Sequence, residues 1–280
     1  MKAATSISLS MSRVAHATGQ WADVQMTAGA RRTPAGCARM DSTAAGWQSC
    51  GVDPADPILR WLLHALPTHC TVAGGAIGEP GPSPYPEEEA AIVQAVARRR
   101  DEFRAGRIQA RQALARLGVA AAAIAKGAAG EPIWPAGFTG SISHTDDCAF
   151  AVVASTAAVR AIGLDVEADA PLDGPTRKFV CRPGEAEAVP ALTKDDIDPA
   201  KRILVAKEAF MKLNYALTGT LVDFLDIHIA LGDSEADEQA FRATPFLAAG
   251  AAASTGYEGC LGWSSGRIAA VMYVCPAGNL

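Results

Sequence analysis

No stretch of this 280-residue chain offers an apolar run of about eighteen residues, so no membrane-spanning helix is expected. The opening MKAATSISLSMSRVAHATG has one Lys but no continuous apolar segment, which argues against a signal peptide. Paired CxxC spacing is also absent. Seven cysteines (Cys37, Cys50, Cys70, Cys148, Cys181, Cys260, Cys275) are scattered. An odd number in a chain this long fits reduced thiols in a cytoplasmic protein and speaks against a zinc site. A positive overall field is missing too: the net charge is −5, unlike that of a nucleic-acid binder. No G-x-x-x-x-G-K-[ST] occurs. Its absence removes the P-loop phosphotransferases. No internal repeat is legible.

What the chain does have is a 49 % hydrophobic content, enough for a packed core, over a length that suits one large or two small domains. Residues 1–55 are rich in Ala, Thr, Ser and Gly without sustained periodicity. They are expected to be a flexible leader or an over-extended reading-frame start, with Met11, Met26 and Met40 as later starts. Ile58–Leu63 reads as a short buried helix. Breakers at Gly81, Pro82, Pro84 and Pro86 then mark a loop. A long helix is expected from Pro86 to a stop at Gly118, with acidic Glu87–Glu89 in its first turn and Val96, Phe103, Ala110 and Leu117 at heptad spacing. Its remaining arginines, Arg98, Arg100, Arg104 and Arg111, suit a solvated face.

Further on, 148–154 and 159–166 read as a hairpin, and 173–189 as a loop and helix. Asp198–Pro199 opens a helix to about Asn214. Residues 221–231 and 267–275 read as strands, separated by a variable loop at 233–256. This order of elements implies an α+β fold with mostly antiparallel sheets.

Three segments carry candidate chemistry. In GLDVE (163–167), Asp165 and Glu167 fall on one face of a strand and Val166 on the other. Two hard oxygen ligands there suit Mg²⁺, which in turn binds substrate phosphate oxygens, although a solvated strand edge would give the same letters. Gly163 permits close backbone approach. In KEAFMK (207–212), Glu208 and Lys212 share a helix face beside Lys207. The group could complete a metal site and neutralise a diphosphate, or form an ordinary salt bridge. In GSISHT (140–145), Ser141, Ser143, His144 and Thr145 occupy a Gly-led turn that could bind phosphate. Nothing in the spacing places His144 as a base for either serine.

The ordered set RRDEF-x3-R (99–107), GEPIWPAGFTGSISHT (130–145), GLDVE and KEAFMK resembles the 4′-phosphopantetheinyl transferase superfamily. The likeness is greatest to the branch containing enterobactin synthase component D and covers roughly residues 56–230. It implies two similar halves related by a pseudo-twofold, 56–157 for the coenzyme A nucleotide and 158–280 for metal and carrier, with the active site in the cleft between them. It also implies transfer of 4′-phosphopantetheine from coenzyme A to a carrier-protein serine in a monomeric enzyme, serving siderophore, nonribosomal-peptide or polyketide assembly. On that resemblance Asp165, Glu167 and Glu208 hold Mg²⁺. Arg99, Arg107, Lys126, His144, Lys207 and Lys212 bind coenzyme A, with Lys126 and His144 near the 3′-phosphate and Lys207 and Lys212 on the diphosphate. Lys212 would also stabilise charge during transfer. The serine's base is Glu185, Glu167 or a metal-bound water. The carrier is expected near Phe179–Val189. The rival reading is an inactive paralogue that binds coenzyme A or a synthase partner.

Overall fold

Asp56 opens the first helix, α1 (Pro57–Ala65), by accepting from the amides of Ile58 (2.8 Å) and Leu59 (3.1 Å), which satisfies two otherwise orphaned donors. The computed structural model describes residues 56–190, 192, 197–235, 237–246 and 256–276; the leader expected at 1–55 lies outside them. After α1 come β1 (Cys70–Ala76), α2 (Pro86–Ala90), α3 (Ala97–Arg116), β2 (Phe138–His144), β3 (Cys148–Ser155), β4 (Ala161–Ala168), α4 (Gly174–Val180) and α5 (Pro199–Thr218). A short 3₁₀ turn (Phe224–Asp226) leads to β5 (Ile227–Glu235), β6 (Glu238–Pro245), β7 (Tyr257–Ser264) and β8 (Arg267–Val274).

The fold is α+β with two antiparallel sheets. One is three-stranded in the order β1-β3-β2, and the other five-stranded in the order β4-β8-β7-β6-β5. Alternation of side chains along each strand divides the apolar residues between cores. Ala73, Ala151 and Val153 pack under Ala110, Ala113 and Leu114 of α3. Val72, Phe150 and Val152 face the other way, onto Ile58, Leu59 and Leu62 of α1 and onto Leu164, Val166 and Val271 of the larger sheet. Helix α1 thus closes the seam where the sheets meet. Helix α5 fills the core of the larger sheet with Ile203, Phe210 and Leu213 against Phe241, Leu261, Ile268 and Met272.

Three sequence expectations are corrected. The long helix is broken: residues 91–96 turn, and α2 folds back on α3. Residues 91–96 include Ile92, Val93 and Val96, β-branched residues that lose rotamer freedom in a helix. Ion pairs across the break favour the turn. Glu88, fully buried, accepts from Arg111 (2.6 Å) and from the Ile124 amide (2.7 Å), while Glu89 pairs with Arg104 (2.6 Å). Arg104 and Arg111 therefore clamp α2 and do not form a wet face. Second, β3 and β4 are not a hairpin; β3 pairs with β1 and β2, and β4 with β8. Third, 233–256 is no single variable loop. It contains β6, whose Gln239, Phe241 and Ala243 alternate inward.

Gly163 lies on the face of β4 that meets α5. A Cβ there would collide with the Ala209 carbonyl oxygen. Gly163→Ala is expected to force the helix away and destabilise the protein by at least about 1–3 kcal/mol, read as a lower urea midpoint. An unchanged midpoint would contradict this close approach.

Candidate active site

Strand β4 sends Leu164 and Val166 into the core at the seam and Asp165 and Glu167 to the opposite face, as the pleat requires. Asp165 is 2 % exposed. Its Oδ1 accepts from Ser143 Oγ (2.9 Å) and Lys212 Nζ (2.8 Å), while its buried Oδ2 has no partner. Glu167 is half-buried and accepts from Lys201 Nζ (3.2 Å). Burial, followed by the charge of Asp165, raises its pKa above the usual carboxylate range. Glu208, on α5, is pushed up to about 8, first by burial and then by Asp165, against the pull of Lys212. Both shifts therefore come first from burial and then from the charge of Asp165 close by.

They do not form a finished metal cage. Among the described residues, no three of His, Cys, Asp and Glu are arranged to hold an ion. Lys212 and Lys201 lie against two of the carboxylates instead. The donor chemistry nevertheless fits a hard divalent cation, with an orphaned oxygen at Asp165 and mutual repulsion for a cation to relieve.

Lys212 Nζ spans the seam, donating to Leu164 O (2.8 Å) and Asp165, with Ile142 O at 3.4 Å. GSISH (140–144) is not a turn but the body of β2, and Thr145 follows it. Its serine hydroxyls are spent on the neighbouring sheet. Ser141 Oγ accepts from the Leu164 amide and Ser143 Oγ from the Val166 amide, both at 3.0 Å. Thr145 Oγ1 donates to Asp147 (2.6 Å) in the β2–β3 turn.

At the end of β2, His144 Nε2 lies 3.1 Å from Arg99, which also pairs with Glu102 (2.8 Å). Burial lowers the His144 pKa, so the neutral ring accepts from the guanidinium. Arg107 does not line an open flank with Arg99. It is 5 % exposed, donates to Ile124 O (2.8 Å) and stacks on Phe103; burial lowers its pKa to about 10. Lys126 is exposed on a small hairpin, where it bridges Pro132. Glu131 of that hairpin reaches Tyr215 of α5 at 3.4 Å.

Lys207 departs furthest from expectation. It is fully buried, and its Nζ donates to Val180 O (2.9 Å), Glu185 (2.7 Å) and Phe224 O (3.0 Å). All three ammonium protons are committed, so Lys207 does not reach a diphosphate. Glu185 is held with it and also accepts from the Arg182 amide (2.9 Å). No hydrogen bond or ion pair among the described residues joins this pair to Asp165, Glu167 or Glu208.

Residues 87–154 match the model of the 4′-phosphopantetheinyl transferase N-terminal domain. The chain is 32 % identical over 200 residues to 4′-phosphopantetheinyl transferase Svp of Streptomyces mobaraensis, covering 70 % of this chain and 80 % of that protein. The chain belongs to the 4′-phosphopantetheinyl transferase family. PptT of Mycobacterium tuberculosis is 39 % identical over 150 residues, 54 % of this chain and 66 % of that protein. Npt of Nocardia iowensis is 37 % identical over 155 residues, 55 % and 69 % of the two chains. Both are also named 4′-phosphopantetheinyl transferases. The enzyme therefore modifies carrier proteins with 4′-phosphopantetheine. No helix among its described residues is long and apolar enough to cross a membrane.

Proposed function

We propose that the enzyme uses Mg²⁺ and coenzyme A to load an acyl, aryl or peptidyl carrier protein of siderophore, nonribosomal-peptide or polyketide assembly, in the cytoplasm and as a monomer. The carrier serine Oγ attacks the β-phosphorus of coenzyme A. The P–O bond to the nucleotide breaks, adenosine 3′,5′-bisphosphate leaves, and the serine proton passes to a base. Asp165, Glu167 and Glu208 would hold the magnesium ion. When bound, the ion supplies positive charge to the diphosphate, where charge builds during transfer.

The observation that carries this reading is the electrostatic state of the β4–α5 junction. An orphaned Asp165 oxygen sits beside a Glu208 pushed up to about 8, a combination that a divalent cation relieves. Arg99 and His144 stand together at the mouth of β2 and suit the nucleotide's phosphate, to which Arg presents a fork. Lys212 keeps positive charge at the seam beside Asp165. Glu167, half-exposed, is better disposed as base than Glu185, which is locked to Lys207.

Incubating the purified chain with coenzyme A and an unmodified carrier is expected to add the mass of one phosphopantetheine arm. The reaction should stop when the divalent metal is chelated and resume with added Mg²⁺. Loading that continues at full rate in chelator would remove the metal from the mechanism.

A further inference from the structure

Ser141 and Ser143 lie two apart on β2, so both hydroxyls point to the same side, and both stitch β2 to β4. Each accepts from a β4 amide at 3.0 Å, Ser141 from Leu164 and Ser143 from Val166. A hydroxyl has a single proton to give. That of Ser141 has only the Leu164 carbonyl within reach, at 3.4 Å. That of Ser143 goes to Asp165 Oδ1 at 2.9 Å. Both serines are 4 % exposed, and Asp165 is 2 % exposed, so water does not compete for these contacts.

We infer that Ser143 is a positioning residue for Asp165, fixing Oδ1 so that Oδ2 is kept free to bind the divalent cation. The inference rests on the metal reading proposed above. It explains an asymmetry that burial alone leaves unexplained. Oδ1 takes two donors, from Ser143 and Lys212, while Oδ2 is buried with none. A buried carboxylate oxygen without a donor is costly unless something else satisfies it. The Val166 amide fixes Ser143 Oγ from behind, so the hydroxyl is itself held in place before it holds Asp165. Groups that orient a ligand in this way govern metal affinity even though they never touch the metal.

Ser141 supplies the control, because it makes the same backbone stitch without a carboxylate. The test is Mn²⁺ titration of the full-length chain with coenzyme A present, read by the loss of free Mn²⁺ signal in electron paramagnetic resonance, beside the thermal midpoint. Ser143→Ala is expected to weaken Mn²⁺ binding by about 10- to 100-fold. The metal concentration for half-maximal loading should rise by a similar factor, and the KM for coenzyme A at saturating metal should change little. Ser141→Ala should lower the thermal midpoint comparably yet leave Mn²⁺ binding as in the unmodified protein. Ser143→Cys, which keeps the size but weakens the donor, covers the case in which the alanine variant does not fold; it should also bind Mn²⁺ less tightly.

Wild-type Mn²⁺ affinity in a folded Ser143 variant, or equal weakening by Ser141→Ala, overturns the inference. Asp165→Asn separates the two layers. If it loses Mn²⁺ while the Ser143 variants do not, only the positioning role falls. If it binds Mn²⁺ as the unmodified protein does, or the unmodified protein binds none, the metal reading falls and takes the inference with it.

Discussion

Asp165→Asn is expected to cut the carrier-loading rate on the order of 10²- to 10³-fold while leaving the protein folded. That is the scale of losing one preorganised electrostatic group where charge develops. Asparagine keeps the shape and can still accept from Ser143 and Lys212, so packing is preserved. It removes a formal negative charge from a site where only hard oxygen donors hold Mg²⁺ well. The same change removes one of the two carboxylates that raise the Glu208 pKa, so Glu208 should titrate closer to an ordinary carboxylate. The thermal midpoint should therefore hold or rise as activity collapses, a separation that a merely structural Asp165 would not show. Single-turnover loading at several Mg²⁺ concentrations, beside a thermal melt, gives both quantities. A variant as fast as the parent at limiting Mg²⁺ would dispose of the assignment.

Much of this site was legible because period-2 and period-4 spacings fix faces before tertiary structure does. GLDVE had to place Asp165 and Glu167 together if it was a strand, and it is one. Asp198–Pro199 marked a helix start, and α5 begins there with Asp198 accepting from the Ala200 amide (3.0 Å). Gly163 announced a close approach, which Ala209 makes. What the letters hid depended on distant partners. Strand β1 (CTVAGGA) lacks the bulk that marks strands, because Phe150 and Leu59 occupy the space over Gly74. The serines of β2 looked free for phosphate, but their hydroxyls complete the edge of β4 across a sheet boundary that no local pattern reveals. Helix α3 was overextended because a heptad stripe says nothing of ion pairs that reward folding back.

Lys207 shows why charge in a motif does not by itself indicate contact with substrate. Burial lowers its pKa although Glu185 pulls the other way, so the ammonium is sustained in the core only by that carboxylate and two carbonyls. Truncating one partner of such a pair strands the other without compensation. Lys207→Ala is accordingly expected to cost about 3–5 kcal/mol, a fall of roughly 6–20 °C in Tm for a domain of this size. Its effect on the KM for coenzyme A, measured on whatever fraction remains folded at low temperature, should be small. Replacing both partners with apolar residues, Lys207→Met with Glu185→Leu, should recover much of the lost stability, because the desolvation cost of both charges disappears together. That recovery separates structure from chemistry at Glu185. If the double variant is stable and still loads carrier, the serine proton goes elsewhere, to Glu167 or a metal-bound water. If the double variant is stable but inert, Glu185 reaches the reaction despite its lock on Lys207. A Lys207→Ala protein as stable as the parent but with a sharply raised KM would restore this lysine to the diphosphate.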